Sequence, residues 1–164
     1  FGTADSNPLV VPRTVFGQIF FAFELGSEKE PADGIVGLAM RASVDDEYDI
    51  VPPFVNAVHR GLVDSPVFTV FLEKDGADAV GAPGGSFTFG GLDTDNCGDV
   101  IAYEKTISGE YFNFQLKAVA TGQFAQASVS WTRRSFQGVS ATHTAFIYGP
   151  ADVVAKIAAQ SGAT

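Results

Sequence analysis

Few side chains in this sequence are spaced for chemistry. His59 and His143 are the two histidines, and no Cys, His, Asp and Glu positions around them fall at metal-ligand spacing, so packed or surface imidazoles are the expectation. No metal and no cofactor is called for. A Ser-His-acid triad would need a nucleophile-elbow signature, and none occurs. Asp45-Asp46-Glu47 is a compact acidic run in an expected loop, read as a solvated face and not an ion site. Asp93-Thr94-Asp95 offers two carboxylates around a hydroxyl but ends a glycine-rich turn. His143 lies within Val139-Ser140-Ala141-Thr142-His143-Thr144-Ala145-Phe146-Ile147-Tyr148-Gly149-Pro150, a run without a carboxylate.

The elements that would position these residues are mostly strands. Val10 to Leu25 is rich in Val, Ile, Phe and Thr and closes on the polar turn Gly26 to Pro31. Asp33 to Ala39 is short, apolar and glycine-punctuated, which predicts a buried strand with close backbone contact. Pro52-Pro53 opens a short helix carrying Phe54, Val55, Ala57 and Val58, and Gly61 stops it. Val67 to Glu73 and Ser86 to Phe89 read as strands, the second returning from a turn at Ala82-Pro83-Gly84-Gly85. Val100 to Tyr103, Tyr111 to Ala120 and Ala127 to Trp131 complete the strand set. Ala151 to Ala159 reads as an amphipathic helix with Val153, Val154 and Ile157 inward and Gly162 at its end. The fold class is all-β with two short helices.

Several of these segments, in order, resemble the pepsin-like aspartic peptidases. Phe1-Gly2-x-Ala4 is similar to the strand after the active-site flap of that family. Asp33-Gly34-Ile35-Val36-Gly37-Leu38-Ala39 resembles its Asp-Gly-Ile-hydrophobic-Gly-Leu. Pro52-Pro53-Phe54 through Gly61-Leu62-Val63 and Pro66-Val67-Phe68 resembles the helix and strand that follow. Gly84-Gly85-Ser86-Phe87-Thr88-Phe89-Gly90-Gly91-Leu92-Asp93 and Tyr111-Phe112-Asn113-Phe114 are similar to two further family motifs. The run ending in Gly149-Pro150 sits where the family carries its second Asp-Thr-Gly-Thr-Ser.

The resemblance implies a bilobal β-fold with one aspartate per lobe. It assigns residues 1–95 to the later part of the first lobe and 96–164 to the opening part of the second, both incomplete. It also implies that missing halves of the fold, or a partner segment, are needed for stability, because a chain cut through such a fold exposes sheet edges.

Aligned on Gly149-Pro150, Ala141 takes the place of the aspartate, His143 that of the glycine and Ala145 that of the serine, while Thr142 and Thr144 keep the family types. By resemblance, Thr144 would have hydrogen-bonded the aspartate. The family's chemistry uses two carboxylates about 3 Å apart that share one proton across a water. Ala141 can neither hold that proton nor accept one. His143 brings a Cβ and a ring into a turn where the family uses glycine. Two copies of this chain would present Ala141 to Ala141, so a homodimer does not supply the pair. The resemblance makes Ile35 a candidate lining residue of the substrate cleft on one side of the scissile bond and Tyr111 on the other. Ordinary core packing is the competing reading of both.

Composition narrows the partners. A net charge of -9, with 10 Lys and Arg against 19 Asp and Glu, disfavours nucleic acid and anionic membrane surfaces. The expected partner is a peptide or protein. Cys97 is the single cysteine, so any disulfide partner lies outside this sequence. Phe1 follows no signal-peptide pattern and reads as a cut, and the apolar stretch from Val15 to Leu25 is too short to span a bilayer. Family resemblance implies secretion or a lysosome-like acidic compartment. Three functions fit these observations: an acid endopeptidase whose other parts lie outside the sequence, a pseudopeptidase that binds peptide without cutting, and a truncated product without activity.

Overall fold

The computed structural model describes residues 1–2, 8–19, 33–40, 50–74, 83–127 and 136–163. These form six strands in three antiparallel pairs and two helices. The chain divides into two compact units, Phe1–Ile101 and Ala102–Thr164.

In the first unit, helix α1 (Pro53–His59) begins with proline at its first turn, where a missing N–H is tolerated, and Gly61 follows it at φ 63°. Phe54 and Ala57, three positions apart, share the buried face. That face meets a hairpin of β1 (Phe68–Leu72) and β2 (Gly85–Phe89), registered Phe68 to Phe89 and Leu72 to Gly85. The Phe54 ring lies 5.3 Å from Phe68, edge-on, and 5.6 Å from Phe89. Phe1 adds a fourth ring, 4.7 Å from Phe89. Aromatic pairs in this range add to plain area burial, so this cluster is the unit's core. Gly85 has φ 138°, and a Cβ there would run into the Phe71 carbonyl, which explains glycine at the end of the ladder.

In the second unit, β3 (Asn113–Leu116) pairs with β6 (Phe136–Val139), and β4 (Ala118–Thr121) with β5 (Phe124–Ala127). The β4–β5 hairpin closes on Gly122-Gln123, with Gly122 at φ 54°. Helix α2 (Ala151–Ser161) packs on this hairpin with Val153 buried. The Gln123 N–H donates to the Gln160 side-chain oxygen at 3.1 Å, and the Lys156 ammonium lies 5.2 Å from the Phe124 ring centre. Gly162, at φ 69°, ends α2 in the left-handed conformation, with its N–H on the Ala158 carbonyl.

Several expected elements differ. Residues 8–19 and 33–39 carry no ladder, and Ile35, Val36 and Phe16 are 80%, 61% and 83% exposed, so the predicted buried strand at Asp33 to Ala39 is not buried. A strand exists only when another satisfies its N–H and C=O groups; Leu9 exchanges two backbone bonds with Phe1, and no described ladder extends from there. Val100 to Tyr103 likewise runs without a ladder. Tyr111 to Ala120 is two strands broken at Lys117, because β3 and β4 have different partners. Residues 20–32, the acidic run at 45–47 and the part of the Ala127 to Trp131 segment beyond Ala127 lie outside the described residues. None of the described helices is long and apolar enough to cross a membrane.

Candidate functional site

Strand β6 delivers the run that matters most. Its pairing is prolonged by the Ser140 N–H, which donates to the Phe112 carbonyl at 3.1 Å. Ala141 follows, half-buried, and the Thr144 N–H closes a turn on its carbonyl at 3.4 Å. Thr142 and His143 stand exposed at the head of this turn, and Ala145 is exposed after it. Thr144 is half-buried, and its hydroxyl oxygen accepts from the Phe146 N–H at 3.3 Å. That is a local hydroxyl-to-backbone turn of the kind Ser and Thr favour.

The far end of the run is anchored by α2. The Pro150 carbonyl accepts from the Val153 and Val154 N–H groups, both at 3.0 Å. At Gly149 a Cβ would lie 3.3 Å from Val154 Cγ2, so the chain passes close over the helix. Phe146 and Tyr148 project between these anchors as an edge-to-face pair, 75% and 78% exposed. His143 sits at negative φ, since Arg13 is the sole described non-glycine residue with positive φ. The loop has thus taken a shape open to ordinary L-residues. It offers hydroxyls, an imidazole and apolar surface, with no acid to share a proton.

Ile35 and Tyr111 belong to different units and are described separately. Ile35 lines an open apolar pocket of about 560 Å³ together with Phe1, Val15, Phe16, Pro52 and Pro53. Tyr111 is half-exposed in the turn before β3, where its N–H donates to the Ser108 hydroxyl at 3.3 Å. Ser108 in turn donates to the Asn113 side-chain oxygen, from its hydroxyl at 3.0 Å and its N–H at 3.2 Å. His59 is exposed in the last turn of α1. Among the described residues, no three His, Cys, Asp or Glu side chains come together as metal ligands.

Asp93 proves to be the anchor of a turn. It is 7% exposed, and its carboxylate accepts from the Asp95 N–H (3.2 Å), the Asn96 N–H (3.0 Å), the Asn96 amide (2.9 Å) and the Ser86 hydroxyl (3.1 Å). These donors, led by the Asn96 side chain, hold its pKa below the ordinary carboxylate value despite the opposing effect of burial. Asn three positions after Asp, at the end of Asp-Thr-Asp-Asn, is the sequence signal of this arrangement.

Residues 9–164 match the family model for eukaryotic aspartyl proteases. The chain belongs to that family. Aspartic protease 6 of Caenorhabditis elegans is 36% identical over the whole of this chain and 40% of its own length. Aspartic protease 2 of Necator americanus is 36% identical over 97% of this chain and 35% of its own length. Cathepsin E of Oryctolagus cuniculus is 28% identical over 92% of this chain and 37% of its own. The chain therefore spans about two-fifths of the length of such aspartyl proteases.

Proposed function

We propose that this chain is the middle part of a pepsin-like acid endopeptidase homologue and that, as it stands, it binds peptide without cleaving it. One observation supports the reading: the turn after β6 carries Ala141, which the motif resemblance aligns with the family's aspartate, and the Thr144 hydroxyl accepts from the Phe146 N–H. Hydrolysis by paired carboxylates needs one to take a proton from water and the other to give one to the carbonyl oxygen or leaving nitrogen. An alanine does neither. The imidazole of His143 stands exposed on the same turn, and a single base does not replace an acid-base pair.

On this reading, residues 1–95 belong to the first lobe and 96–164 to the second. Ile35 and Tyr111 are the candidate peptide-contact residues, one in each unit. The site lies in a protein that is secreted or held in a lysosome-like acidic compartment, and it engages a peptide or protein with no metal or cofactor. Remaining segments of the parent protein complete both lobes. A second reading, that the parent is an active endopeptidase, is favoured by the retained Thr142, Thr144 and Gly149-Pro150.

The test is hydrolysis of a denatured protein by the pure chain at about pH 3–4, with and without pepstatin. No pepstatin-sensitive cleavage is expected. Specific, pepstatin-sensitive cleavage would refute the proposal. Binding without turnover of a fluorescent peptide with adjacent Phe residues is its positive counterpart.

A further inference from the structure

The turn that leads out of the β1–β2 hairpin is built around one buried acid. On the β1 side, the Thr69 hydroxyl donates to the Gly91 carbonyl at 3.1 Å and accepts from the Asp93 N–H at 3.3 Å. On the β2 side, the Ser86 hydroxyl donates to the Asp93 carboxylate. On the exit side, Asp95 and Asn96 turn three N–H donors onto the same carboxylate, and the Cys97 N–H closes on the Asp93 carbonyl at 3.2 Å. The described bonds that fix the path from Leu92 to Cys97 converge on Asp93.

We propose that Asp93 is a proton-operated latch, which holds the exit turn of residues 93–97 closed while ionised and releases it, with Cys97, when protonated. The chemistry is that of an acceptor-only group. An ionised carboxylate offers lone pairs to all its donors, whereas a carboxylic acid carries an O–H of its own. Of the partners here, the Asp95 and Asn96 backbone N–H groups can only donate, whereas the Ser86 hydroxyl by rotation and the Asn96 side chain by an amide flip can turn to accept. Protonation therefore takes a lone pair from four donor groups and forces Ser86 or Asn96 to turn, weakening the charge-assisted bonds to the backbone N–H groups in a site that is 7% exposed.

Among the described residues the carboxylate is faced by Ser86 from β2 and by Asn96 from its own turn, neither of which titrates, and the Thr69 hydroxyl of β1 meets the Asp93 backbone N–H. Asp95, exposed on the same turn, is ionisable and meets the carboxylate through its backbone N–H. Because the closed-state pKa is lowered, the latch is at full strength above about pH 4, where Asp93 is ionised open or closed. It weakens as pH falls from there towards the closed-state value, the open fraction rising about tenfold per pH unit across that window.

Cys97 is half-buried and free, and so reports on opening. The experiment is disulfide-exchange labelling of Cys97 in the 164-residue chain with 4,4′-dithiodipyridine from about pH 7 down to about pH 2.5, each rate divided by that of the denatured chain at the same pH. The normalised rate is expected to be flat above about pH 4 and to rise about tenfold per pH unit below it, with far-UV circular dichroism unchanged. N96A, which removes the largest cause of the lowered pKa, raises the rate above about pH 4 and makes the acid rise smaller, levelling off at a higher pH, and D95N leaves the profile in place. D93N labels fast at every pH. The wild-type profile decides the matter even if D93N does not fold. A flat profile overturns the proposal, as does a rise that coincides with loss of circular dichroism or a D95N shift equal to that of N96A.

Discussion

Truncating Phe54 probes the core of the first unit most directly. The side chain is 6% exposed and lies 5.3 Å and 5.6 Å from two further rings, one on each strand of the hairpin. Phe54→Ala removes a buried ring and leaves a cavity between α1 and both strands, a change worth about 3–5 kcal/mol at a well-packed site. A loss of that size approaches the whole stability of a small unit, so F54A is expected to be largely unfolded. Phe54→Leu keeps most of the volume and gives up the edge-to-face contact with Phe68, for a loss of about 1–1.5 kcal/mol. With a urea slope of about 1–2 kcal/mol per molar, F54L lowers the unfolding midpoint by about 0.5–1.5 M at unchanged slope. Phe87 supplies the control. It stacks on Phe89 at 6.4 Å but is 49% exposed, and F87A is expected to lose under about 1 kcal/mol. The assay is urea unfolding followed by circular dichroism. If F54A costs no more than F87A, the Phe54–Phe68–Phe89 cluster is not the core of this unit.

Two further changes test backbone conformation. Gly162→Ala forces a Cβ onto a residue at φ 69° with nothing within 4 Å, so its cost of about 1–2 kcal/mol is purely conformational and appears as a lower thermal midpoint; an unchanged midpoint would show that α2 does not need its left-handed cap. Arg13→Gly works in the opposite sense, relieving a non-glycine residue at φ 55°; a gain of up to about 1 kcal/mol is expected by the same measurement, and a loss would show that the arginine side chain stabilises its turn.

Elements with strong local punctuation were legible from sequence. Pro53 and Gly61 bracket α1, Gly149-Pro150 and Gly162 bracket α2, and the Phe-Thr alternation at residues 86–89 becomes β2. Segments whose identity depends on a distant partner were not. Residues 8–19 and 33–39 carry β-formers such as Val10, Val11, Val15, Ile35 and Val36, yet composition cannot say which strand will pair with them, and pairing is what makes a strand. The break at Lys117 is invisible for the same reason, since only the separate partners of β3 and β4 reveal it. Asp93 shows the limit for sites. Asp93-Thr94 shares two residues with the family's Asp-Thr-Gly, whereas the role of Asp93 comes from Ser86 seven positions earlier and Asn96 three later. The carboxylate is used up as a structural acceptor.

The contrast between Asp93 and Ala141 carries the functional argument. A catalytic carboxylate must keep lone pairs free for water and a proton to exchange, and Asp93 spends its own on four donor groups in a buried turn. The turn that could present a free carboxylate carries Ala141 instead. The substitutions around Ala141 are mutually consistent. With no aspartate to support, the Thr144 hydroxyl serves the Phe146 N–H. With His143 at negative φ, the turn closes through Thr144 and Ala141 without calling on glycine's freedom. A single lost acid in an otherwise preserved loop would leave a hydroxyl aimed at an empty place. Here the loop holds together by its own backbone bonds between β6 and α2, which is what the proposed binding without cleavage requires.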